Sequence, residues 1–128
     1  GVSWCASEGM GRVTNVRPLR EDETTATFSF QPTRESVRGE HAQRFADRLR
    51  GEVTVLKATP DITRVRLYVP EAFSPMPLVR LESLNIVISC QAAPNGRRYA
   101  AETVSQVRGS AFGQAFDEPS VQRARNLQ

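Results

Sequence analysis

The chain has 128 residues, of which 39% are hydrophobic and 24% charged, a length and composition typical of one folded domain and not of a disordered chain. No apolar run reaches the roughly 20 residues of a transmembrane helix, which excludes a helical membrane protein. The formal charge of +3 comes from sixteen arginines and one lysine, Lys57. Guanidinium groups pair bidentately with phosphate and stack on bases, so the excess of arginine over lysine favours nucleic-acid contact. A GC-rich coding sequence would enrich arginine equally well.

The N-terminal third of the chain predicts a loose arm followed by two strands. Residues 1–9 are small and polar and predict the arm, and residues 11–17 alternate enough for a strand. Residues 24–31 alternate cleanly, with Phe28 and Phe30 on one face. Apolar residues at every second position, together with aromatic and β-branched residues, predict a half-buried strand. The proline that follows ends this strand.

Residues 33–51 differ from the rest of the chain, because their apolar residues fall at helical spacing. The stripe consists of Ala42, Phe45, Ala46 and Leu49, and Gly51 stands where a helix would stop. Five arginines surround it. Two interpretations remain open, a short helix with a solvated face and a flexible basic loop that touches phosphate. We expect the single histidine, His41, to be a solvated surface residue.

The middle of the chain holds the best strand, residues 62–69. Its alternation places Val65 and Leu67 in the core and puts Arg64, Arg66 and Tyr68 on the opposite face. A short strand at 52–58 precedes it. The proline-rich residues 71–78 allow only a short helix or a turn.

The last third predicts a hairpin and then a tail. Residues 79–91 form an apolar strand with Leu84 and Ile86 facing the core. Residues 92–96 contain an Asn-Gly pair typical of a turn, and residues 97–107 form the returning strand. Beyond Gly109 we expect a tail. The count of five or six strands predicts a small all-β barrel or sandwich.

Cysteine and histidine are too few for a zinc site, since Cys5, Cys90 and His41 cannot supply four ligands. We expect two free thiols, because the chain lacks a dense disulfide framework. The alternative is a bond between the two cysteines, which requires a fold that brings the N-terminus to residue 90. The sequence holds no Gly-x-Ser-x-Gly elbow and no phosphate-binding loop. We therefore predict a protein that is not an enzyme and that uses no cofactor or metal.

One sheet face carries the features of a nucleic-acid platform. Arg64, Arg66 and Tyr68 would combine charge for the backbone with a ring for a base. Arg97, Arg98 and Tyr99 repeat this composition after the hairpin turn. A face held together by cross-strand ion pairs is the alternative interpretation. We also predict second-rank phosphate contacts by Arg17, Arg20 and Arg80.

Four stretches, in order, resemble the bacterial-type single-stranded DNA-binding proteins. They are residues 11–19, residues 25–30, residues 63–69 with the following Glu-Ala-Phe, and the hairpin at 95–104. The resemblance covers about residues 9–108 and implies an OB fold, a five-stranded barrel with one short helix and a long loop between strands 2 and 3. That loop, at 31–62, is longer than in the family, and the base-stacking tryptophans of the family have no counterpart here.

With these departures, the chain resembles a second branch of the family, the OB-fold proteins of the trypanosomatid mitochondrial RNA-editing complex. This likeness implies a mitochondrial module that binds single-stranded RNA or DNA and pairs with other OB domains, with no membrane partner. We expect an arm at 1–9, an OB domain at 10–108 and a tail at 109–128. The alternatives are a bacterial-type single-stranded DNA-binding protein and a purely protein-binding OB scaffold.

Overall fold

The computed structural model describes residue 5 and residues 14–33, 46–59, 61–96 and 98–123. Eight strands build this part of the chain, which confirms the predicted all-β class. They are β1 Thr14–Glu21, β2 Thr25–Gln31, β3 Arg50–Leu56, β4 Ile62–Tyr68, β5 Phe73–Met76, β6 Val79–Ala92, β7 Arg98–Ala111 and β8 Gln114–Arg123. A three-residue 3-10 helix, Ala46–Arg48, precedes β3. No helix in these ranges is long and apolar enough to cross a membrane.

The strands form one antiparallel sheet in the order β1-β2-β3-β4-β6-β7-β8, with β5 paired to β6 beside this path. Sheet neighbours are therefore chain neighbours almost throughout, as in a meander. Within the described ranges β1 and β8 are the two end strands, and the path is not closed. The described strands thus do not form the predicted five-stranded barrel, and β3 occupies part of the expected long loop.

The larger core cluster lies on one face of the sheet, which we call the inner face. Cross-strand partners stack there in rows, because Val53 pairs with Val65 and Val65 pairs with Ile88. Alternation within each strand sends every second side chain to this face. The predicted core is confirmed: Phe30, Val65 and Leu67 are buried, and the partly buried side chains packed against the core include Phe28, Leu84 and Ile86.

A second cluster forms around the short strand β5, where a helix or turn was expected. Phe73 pairs with Leu81 and is buried together with Leu49 and Val69. Burial of Phe73 against β6 favours an extended segment over a helical one. The prolines of this segment are compatible with β5 because it pairs with β6 alone.

A disulfide joins Cys5 to Cys90, with the two Cα atoms 5.7 Å apart. Our prediction of two free thiols is therefore wrong. The reason is tertiary: β6 brings Cys90 to the inner face, where Cys5 lies buried within the larger core cluster. Sequence separation alone could not reveal this proximity, because the two cysteines are 85 residues apart.

Two further expectations need correction. The segment beyond Gly109 is not a tail, since β7 continues to Ala111 and β8 pairs with it over ten residues. The predicted stop glycine, Gly51, lies inside β3 and does not end a helix, since the 3-10 helix before it already ends at Arg48. Residues 34–45, which carry most of the predicted helical stripe, lie outside the described residues.

The β7–β8 turn places a phenylalanine where the backbone favours glycine or asparagine. Phe112 and Gly113 have φ angles of 51° and 82°, which suit a two-residue hairpin turn of the Asn-Gly type. The Phe112 side chain is 73% exposed, so its packing contributes little free energy to offset the cost of the positive φ angle.

Replacing Phe112 by asparagine is therefore expected to raise the free energy of unfolding by about 1 kcal/mol, since asparagine tolerates the left-handed region. Urea unfolding followed by circular dichroism measures the change. Gly113→Ala is the matched variant and should lower the same quantity, because alanine disfavours a positive φ. A lower stability for Phe112→Asn would contradict this account of the turn.

Candidate nucleic-acid interface

The side chains opposite the core form a polar surface on β1 to β4 and β6, which we call the outer face. Cross-strand pairing aligns Glu52 with Arg66 and Thr54 with Arg64. The same alternation that buries Val65 and Leu67 turns their strand neighbours outward. The predicted grouping of Arg64, Arg66 and Tyr68 on one face of β4 is confirmed by this register.

Glu52 links two of the arginines on the outer face. Its carboxylate accepts from Arg20 at 3.2 Å and from Arg66 at 3.1 Å, and its side chain is only 15% exposed. Arg66 Nε also donates to Asn85 Oδ1 at 2.7 Å. The Arg66 guanidinium is thus held across β3, β4 and β6, and its charge is partly neutralised by Glu52.

Tyr68 lies beside Arg66 on the same strand face. The Arg66 guanidinium carbon is 4.3 Å from the centre of the Tyr68 ring, a cation–π contact. One face of the ring is therefore covered by Arg66. Because Arg66 is held by Glu52 and Asn85, it also holds the Tyr68 ring in place.

Arg64 and Arg17 differ from Arg66, because both are exposed and neither makes an ion pair within the described ranges. Arg17 lies opposite Ser29 on β2, and Arg20 lies opposite Thr27. Within the described ranges the outer face therefore carries two arginines without an ion-pair partner, Arg17 and Arg64, and a third, Arg20, that shares Glu52 with Arg66.

In the second predicted cluster, Arg98 binds the backbone of the neighbouring strands. Arg98 donates to the backbone carbonyl of Ile62 at 2.7 Å and to that of Cys90 at 3.3 Å, which ties the start of β7 to β4 and β6. Tyr99 pairs with Gln91 near the hairpin end. Arg97 lies outside the described residues.

Arg80 lies far from the other predicted contacts. It is bound to Glu82 at 3.0 Å, and it lies nine positions along β6 from Ser89, the partner of Arg64. At about 3.3 Å per residue this separation is roughly 30 Å. The structure does not bring Arg80 into the outer-face group.

A capped turn fixes β1 against β2 and so positions Arg20. The Asp22 carboxylate accepts from the backbone N–H of Thr25 at 2.8 Å and of Thr24 at 2.9 Å. These hydrogen bonds, that from Thr25 first, lower the pKa of Asp22 below its ordinary value. The stabilisation is present above that ordinary pKa and is lost as pH falls through the lowered one.

Comparison with known proteins adds no further assignment: no protein-family model, no curated protein and no solved structure matches this chain. The candidate interface therefore depends on its own geometry.

Sequence reasoning missed three polar residues that shape this interface: Glu52, Thr54 and Asn85. A signal for the first two was present, because Glu52 and Thr54 alternate with Val53 and Val55 in a predicted strand. The pattern shows that they face away from the core. It does not show which arginine lies opposite, since that depends on cross-strand register.

Proposed function

We propose that this protein is a non-catalytic module that binds single-stranded RNA or DNA on its outer face. The observation that carries this proposal is the grouping of exposed Arg17, Arg20 and Arg64 with an ordered Tyr68 on one side of the sheet. Cationic side chains follow the backbone and an aromatic ring stacks a base, which suits sequence-tolerant binding of single strands.

The arginines have different roles in this proposal. Arg64 and Arg17 contact phosphate, because neither makes an ion pair within the described ranges that a phosphate would have to displace. Arg66 positions Tyr68 and Glu52, since its donors are already used by Glu52 and Asn85. Arg98 holds the sheet together through backbone carbonyls and has no direct role in binding.

Fluorescence anisotropy with labelled oligouridylate and oligothymidylate tests the proposal. Affinity is expected to fall as salt rises, with a log–log slope of about 0.7 for each phosphate contact. Arg64→Gln is expected to weaken binding and to reduce this slope by about 0.7. Arg80→Gln makes the same charge change at the remote site and should leave the slope unchanged.

Tyr68→Ala separates stacking from charge. Loss of one base contact is expected to cost about 1–3 kcal/mol of binding free energy without changing the salt slope. No measurable oligonucleotide affinity at low salt would refute the proposed function. An equal effect of Arg64→Gln and Arg80→Gln would refute its location on the outer face.

A protein-binding role is the second candidate, and a row of valines supports it. Val87, Val104 and Val121 lie opposite one another on β6, β7 and β8, and the last two are 40% and 54% exposed. An apolar row that reaches an end strand suits a partner chain. Pro18 in β1 and Pro119 in β8 disfavour backbone pairing at either end strand.

Light scattering distinguishes this second role. A tight complex with an OB-fold partner that is lost in Val121→Ser, together with no oligonucleotide binding, would favour the scaffold. From sequence resemblance we also propose a relationship to OB-fold proteins. The same resemblance suggests a place in an RNA-editing-type complex, with the bacterial-type single-stranded DNA-binding proteins as the alternative.

The disulfide bears on the cellular location that we propose. Cys5 and Cys90 are both buried, and their bond fixes residue 5 to the core. Disulfides persist in oxidising compartments and are rare where cellular thiols are kept reduced. We infer that the chain folds in a compartment that permits thiol oxidation. The mitochondrial location that we propose is therefore a mitochondrial compartment in which disulfides form.

A further inference from the structure

Four side chains on consecutive strands form one row across the outer face. Arg20 pairs with Thr27, Thr27 with Thr54, and Thr54 with Arg64. Residues paired in this way have Cβ atoms about 4.5–5.5 Å apart. Two threonines, of which Thr27 is only 6% exposed, therefore lie between two arginines in this row. We call this set the Arg-Thr-Thr-Arg row.

The two threonines at its centre leave one hydrogen-bond donor to spare. Thr27 Oγ1 and Thr54 Oγ1 are 2.9 Å apart, so one hydroxyl donates and the other accepts. The accepting hydroxyl still carries its own hydrogen. No acceptor for that hydrogen is found within the described ranges, and the pair faces a depression of about 280 Å³.

The lining of this depression carries two guanidinium groups and two carboxylates, and their existing contacts decide which of them can bind an anion. Arg64 is exposed and has no ion-pair partner within the described ranges, and Arg20 shares the carboxylate of Glu52. Two carboxylates also line the depression, but both are occupied. Glu21 is 2.8 Å from Lys57 Nζ, and Asp22 accepts the hydrogen bonds of its own turn.

We propose that the Arg-Thr-Thr-Arg row binds one oxyanion, a phosphate group, with a threonine hydroxyl and the Arg64 guanidinium as donors and Arg20 as the second cation. Guanidinium groups bind phosphate bidentately, and charge-assisted hydrogen bonds to an anion are the stronger kind. This site deepens the proposed function, on which it rests when the phosphate belongs to a nucleic-acid backbone; free phosphate is the other source of the same group.

Nuclear magnetic resonance of the full chain, titrated with inorganic phosphate, tests the site. We expect saturable shifts of the Thr27 and Thr54 methyl signals and of the Arg64 Nε–H signal, with chloride at equal ionic strength as the reference. Arg64→Gln should abolish saturation. Joint replacement of Thr27 and Thr54 by valine keeps the shape, leaves no unpaired hydroxyl, and should weaken phosphate binding at least tenfold.

Oligouridylate binding, measured with the same variants, separates this inference from the proposed function. If phosphate saturates and oligouridylate does not bind, the site stands and the nucleic-acid function is refuted. If oligouridylate binds equally well to the double valine variant and phosphate causes no saturable shift, the function stands and the site is refuted. Unchanged phosphate binding in Arg64→Gln would also refute the site.

Discussion

Replacing Cys5 and Cys90 together by alanine is expected to lower the free energy of unfolding by about 4–5 kcal/mol. The bond closes a loop with a sequence separation of 85 residues. In the chain-entropy account, a loop of this length restricts the unfolded chain by about that amount. Urea unfolding of both proteins under non-reducing conditions measures the difference.

The matched control is reduction of the unaltered protein. A reductant should lower its urea midpoint by nearly the amount found for the double alanine variant, and the variant itself should not respond. Thiol titration of the denatured, unreduced protein should find no free thiol. Two free thiols, or a midpoint insensitive to reductant, would contradict the bond and the inferred oxidising compartment.

Replacing Phe30 by alanine is expected to lower the free energy of unfolding by about 3–5 kcal/mol, the range for a buried aromatic residue. Phe30 is 3% exposed and lies directly across from Gly51 on β3. A Cβ atom on Gly51 would overlap the Phe30 ring, so the glycine is what allows the ring to lie there. Chemical unfolding measures the loss, and Phe112→Ala, at a 73% exposed site, is the control.

The close approach of Phe30 to Gly51 makes a further check possible. Gly51→Ala alone is expected to cost about 2 kcal/mol, because the added methyl group overpacks the core. In the Phe30→Ala background the same methyl group meets a cavity and should cost much less. Additive losses in this double-mutant cycle would contradict direct contact between the two residues.

The sequence by itself determined the strands that bury one face. Alternation at residues 24–31 and 62–69 correctly identified the inward side chains, among them Phe30, Val65 and Leu67. It also placed Arg64 and Tyr68 on the opposite side. This information is local, because a strand repeats every two residues whatever its neighbours are.

Local patterns failed where pairing supplies the stabilisation. β8 shows little alternation and is exposed almost throughout, and its backbone pairs with β7. β5 contains one proline, Pro75, and is extended because Phe73 packs against β6. Neither contact leaves a periodic signal in the segment itself. The sequence therefore predicted a tail in place of β8 and a helix or turn in place of β5.

Only the tertiary structure decided which groups meet. Register aligned Glu52 with Arg66 and so gave one predicted phosphate contact a carboxylate partner. It also aligned Thr27 and Thr54 between Arg20 and Arg64, and it brought Cys90 to Cys5. A shift of one residue in any pairing would reverse the faces and remove these contacts. The amino-acid sequence thus determined what the alternating strands β2 and β4 turn toward the core, and strand pairing, which depends on the whole sheet, determined the chemistry of the outer face.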